Sequence, residues 1–379
     1  YIGGPGFGAR VEAANAFDDI RKLTEFAHRF NARVYMTLNT IVNDEERKDA
    51  VRLAHLAYEN GVDALIVQDM GILDSDLPPI QLHASTQCDV RTAEKARFLE
   101  SVGFSQVVLA REMNLDEIAQ CYKALQSARI EYFIHGALCV SYSGQCYASF
   151  AATGRSANRG ACAQLCRLPY SVYTESGKEL IHDRHVLSLK DNNQTDNLEA
   201  LIDAGVRSFK IEGRLKDASY VKNITAHYRQ VLDRILAKRV DLKRASDGIS
   251  YIDFTPDPAK AFNRGFTDYF TRGRHHDIAV FETPKNTGEK IGEIVRVTNE
   301  TLEVKSRETI HNADGLTYLT RGRKLMGFAV NRAEEIQTGL WRLTLRERPI
   351  LKKHPQLAPG LTIYRNRDQA WEEMLSKPT

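Results

Sequence analysis

Residues 34–69 read VYMTLNTIVNDEERKDAVRLAHLAYENGVDALIVQD. The run Val34–Asn39 is short, apolar and rich in β-formers, and so is Ala64–Asp69. Between them Val51, Ala54 and Tyr58 recur at helical spacing, and Gly61 stands where a helix C-cap belongs. Strand, helix and strand in about thirty residues make a βαβ unit, which implies two parallel strands. The same rhythm extends both ways, through Tyr1–Gly4, Leu82–Thr86, Val107–Glu112, Tyr132–Gly136 and Ser208–Gly213. Helical patterns lie between these segments: Phe17, Ile20, Leu23, Ala27 and Phe30 behind an N-cap at Asn15, then Leu115, Ile118, Tyr122 and Leu125, then Val221, Ile224, Tyr228, Val231 and Ile235. Cys121 shares the second of these faces and reads as core. Seven strands alternating with helices fit an α/β fold, a (β/α)8 TIM-type barrel lacking its first βα unit. An open doubly wound sheet is the alternative; it normally carries a glycine fingerprint at its first turn, and GGPGFG at Gly3–Gly8, with Arg10 at its edge, has the wrong spacing.

The expected organisation is a barrel over 1–240 with a cysteine-rich insertion at 135–170, a linker at 241–275 and a β-rich module over 276–379. The linker loses periodicity and gains Asp, Ser and Pro. The module's short runs, Gly292–Val297, Leu302–Ser306, Gly315–Thr320, Gly327–Asn331, Trp341–Arg346 and Leu361–Tyr364, are separated by turn residues, as in a small antiparallel barrel.

A net charge of +3 on 379 residues is mild, so anion binding must come from local patches. No apolar run reaches the ~18 residues that would span a bilayer, and no leader pattern opens the chain, so the expectation is a cytoplasmic protein without a membrane partner.

Chemistry concentrates in His135–Tyr170, HGALCVSYSGQCYASFAATGRSANRGACAQLCRLPY. Cys139, Cys146, Cys162 and Cys166 are spaced C-x6-C-x15-C-x3-C, with no Asp or Glu among them. Grouped thiolates suit zinc or an iron–sulfur cluster; two disulfides or packed thiols are the structural alternative. A strand ending at Gly136 puts the thiols in a βα loop on the face where barrels carry active sites. The stretch between strands also holds a hairpin, Ser171–Tyr173 with Glu179–His182, turning at Ser176 and Gly177.

Other strand ends offer polar side chains. His83, Ser85 and Gln87 alternate, so they share a face and either point into the barrel mouth or form a polar plug. Glu112 ends its strand beside Arg111. Lys210 and Glu212 alternate and Arg214 follows, which suits a small anionic cosubstrate or a structural ion pair between Lys210 and Glu212. Asn39 and Asp69 end two further strands. Arg155 and Arg159 lack acidic neighbours in sequence and suit either solvent or RNA phosphates. Cys88 has no partner at ligand spacing.

The stretch EYFIHGALCVSYSGQCYAS, Glu131–Ser149, resembles the signature of the collagenase-like peptidase family U32, through E-x-F-x2-G-A-L-C-x4-G-x-C. LHASTQ at Leu82–Gln87, LARE at Leu109–Glu112 and SFKIEGR at Ser208–Arg214 are similar to further motifs of that family. Ala148 departs from it, where a larger aliphatic residue is usual. The resemblance implies that a first strand and helix precede Tyr1 and that a longer chain follows Thr379. Members with GRSANRG beside the cysteines imply hydroxylation of a cytidine to 5-hydroxycytidine in large-subunit ribosomal RNA; others act on a tRNA uridine or the ubiquinone ring. By position, Cys139, Cys146, Cys162 and Cys166 would ligate a [4Fe–4S] cluster, with zinc as the alternative metal, and prephenate would be a cosubstrate. His83, Glu112, His135, Lys210 and Glu212 would form the catalytic set, and Arg155, Arg159 and Arg214 would hold RNA. Proteolysis, the activity in the family's name, finds no HExxH or GxSxG pattern; a thiol paired with His135 or His83 would be its only route. A non-catalytic RNA-binding protein with a structural metal is the third expectation.

Overall fold

The computed structural model describes residues 1–8, 15–213 and 216–377. Arg10 and Arg214 lie outside them. The first unit alternates strands and helices: β1 (Ile2–Gly3), α1 (Phe17–His28), β2 (Tyr35–Leu38), α2 (Arg47–Glu59), β3 (Ala64–Val67), β4 (Gln81–Ala84), α3 (Ala93–Ser101), β5 (Phe104–Val108), α4 (Leu115–Ala124) and β6 (Arg129–Gly136). Then come α5 (Ala148–Thr153), a hairpin of β7 (Tyr170–Tyr173) and β8 (Glu179–Arg184), β9 (Asp191–Asn193), α6 (Leu198–Asp203), β10 (Val206–Ile211), α7 (Ala218–Leu236) and β11 (Phe266–Thr267).

Strands β1 to β6 pair in sequence order, each parallel to the last, and β10 joins β6 in parallel. This is an α/β fold on a parallel sheet. β9 runs antiparallel to the end of β6 through His135 and Gly136, and β11 pairs with β9. The segment expected as a linker therefore supplies a strand to the first unit, and Tyr269 and Phe270 are buried just beyond it. Its lack of periodicity reflects a two-residue strand, too short to show a pattern.

The helices form where expected, but several faces are rotated. In α2 the buried positions are Ala50, Leu53, Ala54 and Ala57, while Tyr58 is exposed. The small alanines let the helix lie close to the sheet, so the large ring stays outside. In α7 Tyr220 is buried in place of Val221, and in α1 Ile20 and Thr24 are buried while Leu23 and Phe26, and Phe30 in the turn after the helix, stay exposed. Ala16, not Asn15, is the α1 N-cap; Asn15 donates instead to the Gly3 carbonyl.

The second unit is a closed antiparallel barrel of β12 (Glu289–Val297), β13 (Leu302–Ser306), β14 (Gly315–Leu319), β15 (Leu325–Gln337), β16 (Leu340–Leu345) and β17 (Thr362–Arg367), ordered β12-β13-β16-β15-β14-β17. Inward residues such as Ile294, Leu302, Val304, Val330, Leu343 and Ile363 alternate along the strands and fill its core. The short α8 (Ile350–Lys353) and then α9 (Gln369–Ser376) complete it. Lys260 reaches Asp368 at 2.8 Å and Lys222 donates to the Leu375 carbonyl at 2.8 Å, tying the second unit to the first. Among the described residues no helix is long and apolar enough to cross a membrane.

One glycine fixes how the site's loops leave the sheet. Gly136 ends β6 at φ +102°, and a Cβ there would sit 2.5 Å from the Glu212 carbonyl oxygen. Both the left-handed conformation and the backbone approach require glycine. Gly136→Ala is expected to destabilise the fold by at least the ~1–3 kcal/mol that such backbone strain costs, read as a lower urea midpoint. An unchanged midpoint would mean that β6 and the segment after β10 are not in contact.

Candidate functional site

A cavity of about 750 Å³ opens at the C-terminal ends of the parallel strands. Asn39, Ser85, Arg111, Cys139 and Glu212, from just beyond β2, β4, β5, β6 and β10, all face it. Parallel strands bring these ends together because every strand finishes on the same side of the sheet.

Beneath the cavity lies Glu131, fully buried on β6. Lys210 Nζ on β10 approaches its carboxylate at 3.0 Å, Ser208 donates at 2.9 Å, and Tyr1 and Gln106 also donate to it. Burial pushes the Glu131 carboxyl up, but the Lys210 charge and the donors outweigh it and hold the group below the ordinary range. The expected pairing of Lys210 with Glu212 is thus corrected. Lys210 turns to a carboxylate on the neighbouring strand, and Glu212 meets Arg111 at 3.4 Å. Arg111 also lies over the Phe133 ring, 4.0 Å from its centroid.

The thiol loop forms one wall. Cys139, Cys146 and Cys162 line the cavity, and Cys166 sits behind them close enough for the four thiols to interact. Burial pushes the Cys166 thiol up against the opposing Arg167 charge, and the neighbouring sulfurs add to the rise. All four are free thiols, so the disulfide alternative does not hold. Among the described residues no three of these sulfurs lie within 4.8 Å of one another. Gly144 docks the loop: at φ +74° its missing Cβ leaves room for the Gln87 carbonyl, 2.1 Å from where that atom would be. Glu112 holds the same turn, accepting from the Ser143 amide and hydroxyl at 3.3 Å each.

Two of the three loop arginines are structural. Arg159 makes a two-pronged pair with Glu46 at 2.6 and 3.0 Å and donates to the Ile41 carbonyl at 2.7 Å. The lack of an acidic neighbour in sequence did not anticipate a partner 113 residues away. Arg167 donates to Ser188 and to the carbonyls of Leu189 and Leu138. Arg155 lies outside the cavity, with a long contact of 3.4 Å to the Cys162 carbonyl.

Both expected histidines lie off the cavity. His83 packs edge-on against Tyr35 below the floor, and burial brings its pKa down to about 4. His135 is enclosed by Tyr220, Tyr228 and Phe266, with Nδ1 3.3 Å from the Tyr228 hydroxyl, and burial brings it to about 3. Both are neutral buried imidazoles: alternation gives His83 the face of Ser85, but it lies one step further from the strand end, against Tyr35, and His135 is enclosed by the α7 tyrosines and Phe266. Cys88 is buried, its thiol pushed up to about 12, and Asp69 caps a turn through the Gly71 and Val42 amides. Lys216 went unnoticed in the sequence because no strand pattern reaches it. It lines the cavity, and burial lowers its pKa to about 8.

The family model described as peptidase family U32 matches residues 1–280. The chain belongs to peptidase family U32. It is 55% identical over 378 residues to a 23S rRNA 5-hydroxycytidine synthase of Escherichia coli (strain K12), covering 100% of this chain and 57% of that relative. It is 33% identical over 289 residues to a collagenase of Porphyromonas gingivalis (strain ATCC BAA-308 / W83), covering 72% and 68%. A tRNA hydroxylation protein of Bacillus subtilis (strain 168) is 31% identical over 281 residues, covering 71% and 66%. The chain thus spans a little over half the length of the first of these U32 relatives.

The Lys210–Glu131 pair yields a stability test. Lys210→Met strands a buried carboxylate and is expected to cost about 3–5 kcal/mol, whereas Lys210→Met with Glu131→Leu recovers most of it. Because the Glu131 carboxyl is held low, its contribution is full above the ordinary glutamate range and fades as pH falls through the lowered value. Equal losses in the single and double variants, measured by urea unfolding, would remove the pair from the fold's energetics.

Proposed function

We propose that this chain hydroxylates a pyrimidine base, cytidine to 5-hydroxycytidine, in large-subunit ribosomal RNA, using an iron–sulfur cluster on Cys139, Cys146, Cys162 and Cys166. The observation that carries the reading is the wall of free thiols on a cavity at the strand ends. The similarity to a 23S rRNA 5-hydroxycytidine synthase along the whole chain, and to a tRNA hydroxylation protein, supports it. The underlying sheet fits an incomplete (β/α)8 barrel, with β1 to β6 and β10 as seven of its strands and the cavity on the face such barrels use for catalysis.

The donor set suits the cluster. The loop offers sulfur and no carboxylate. A single zinc at its usual ~2.3 Å thiolate distance would draw four sulfurs to about 3.8 Å apart, closer than any three of them stand here. A [4Fe–4S] cube would be held by Cys139, Cys146, Cys162 and Cys166 and would supply single-electron exchange.

The chain's own residues supply the rest. Arg111 and Lys216, cations on the cavity wall, would bind a small anionic cosubstrate, a dicarboxylate of the prephenate kind. Asn39, Ser85 and Gln87 present hydrogen-bonding groups to a base edge. Glu212 is the carboxylate that faces the cavity, where it would orient the base or hold a proton beside C5. Proteolysis has less support: among the described residues no histidine lines the cavity, so no thiol there has an imidazole base.

Anaerobically purified protein should hold about four irons per chain. Cys139→Ser and Cys162→Ser should lose them, and Cys121→Ser should not. Mass spectrometry of ribosomal RNA nucleosides from a deletion strain should show 5-hydroxycytidine restored by the wild-type gene and not by Cys162→Ser. Stoichiometric zinc without iron or sulfide would overturn the cluster, and an unchanged nucleoside profile would overturn the reaction.

A further inference from the structure

A second cavity, about 500 Å³, opens between the two units. It meets the first at Lys216 and Tyr220, which line both. On the sheet side Phe262 presents a half-buried ring, with Lys216 Nζ 3.4 Å from its centroid. Across the cleft Leu325 and Met326 begin β15. The turn before them reads Arg321-Gly322-Arg323-Lys324, and all four residues are exposed. Arg323 reaches Glu282 at 3.3 Å, which sets the turn against the segment carrying exposed Lys285, itself a lining residue. Arg321, Lys324 and Lys285 make no ion pair with a described residue. The acids on the walls are occupied: Asp217 caps α7 at the Tyr220 amide, and Glu372 pairs with Arg367 at 2.9 Å. Lys260 is held by Asp368.

We propose that this cleft carries the single-stranded RNA flanking the target nucleotide, from the thiol cavity past Lys216 and Phe262 to the Arg321–Lys324 turn. The proposal rests on the RNA reading above. A base reaches the cavity only when it is out of its stack, so the adjoining backbone must be unpaired where it meets the protein. Single-strand sites pair a cationic groove with aromatic faces on which bases stack. The cleft has the cations and one aromatic ring, Phe262, which a base would share with Lys216 and Arg264, and it is continuous with the cavity. The thiol loop has little of that capacity: Arg159 is paired with Glu46 and Arg167 with backbone carbonyls, which leaves exposed Arg155 outside the cavity. Phosphates beyond a single contact there must find cations elsewhere, and Lys285, Arg321 and Lys324 are exposed and uncommitted.

The test uses the full chain and a fluorescein-labelled single-stranded RNA of about twenty nucleotides in a salt titration. Lys285→Ala, Arg321→Ala and Lys324→Ala together remove three phosphate contacts. They should lower the slope of log affinity against log salt by about 2 and weaken binding about ten- to a hundredfold at 0.1 M salt. Crosslinks from RNA containing 4-thiouridine should map to 258–264 and 317–327, which keeps the proposal testable if the triple variant unfolds. Wild-type affinity and slope in a folded triple variant would overturn it, as would crosslinks confined to other segments. So would displacement from the cleft by a gelatin peptide with RNA affinity indifferent to salt, which would assign the cleft to a polypeptide. If binding depends on the three cations while 5-hydroxycytidine is absent from complemented cells, the reaction reading fails and the cleft stands.

Discussion

The buried carboxylate of Glu131 is the constraint on which the first unit depends. It takes contacts from Tyr1 beside β1, Gln106 on β5, and Ser208 and Lys210 on β10. No backbone ladder joins β1 to β10 among the described residues, so side chains gathered on one carboxylate connect the two ends of the curled sheet. Such a group is tolerated inside a protein only when its charge is paired and its oxygens accept hydrogen bonds. The same pairing holds the Lys210 ammonium under the cavity, 4.4 Å from the Tyr1 ring centroid and 5.4 Å from that of Phe133. Architecture and site electrostatics therefore share one interaction.

Much of this arrangement was legible in the sequence, because the βα rhythm and the alternating strands of the C-terminal barrel are local patterns. Leu302–Ser306, for example, appears with the expected bounds. The strands that escaped notice, β9 and β11, are three and two residues long and exist only through pairing with β6 and with each other. The site divided along the same line. Four cysteines at ligand spacing are visible as text, whereas the partners of Lys210 and Arg159 depend on strand register and on contacts 79 and 113 residues apart, the first being 210 minus 131. Alternation placed Lys210 and Glu212 on one face, but a pair two residues apart on a strand competes with carboxylates of the next strand, and here the neighbour wins.

Division of labour among the cations follows from these contacts. Around the thiols, guanidinium groups build: Arg159 clamps the loop to the turn before α2, and Arg167 fastens its far end to the segment before β9. With Gly144 seated against Gln87, the loop is fixed at three places. It is a wall with thiols on one side, and Arg159 and Arg167 have spent their donors on the protein. A polyanionic substrate held by those two guanidinium groups would have to displace existing hydrogen bonds first.

That cost shifts recognition toward groups whose charge is unspent. Lys216 stands where the two cavities meet, and burial, with the Arg264 charge adding to it, lowers its hold on a proton against the pull of Asp191, Asp217 and Glu212. An anion arriving there restores what burial removed, so binding and protonation of Lys216 are coupled by linkage. Its pKa of about 8 should rise when RNA or a dicarboxylate binds, with proton uptake that is small near pH 7 and largest just above pH 8. Calorimetric titration in buffers of different ionisation enthalpy would read that uptake directly. Uptake identical in wild type and Lys216→Gln would place the anion away from the junction of the two cavities.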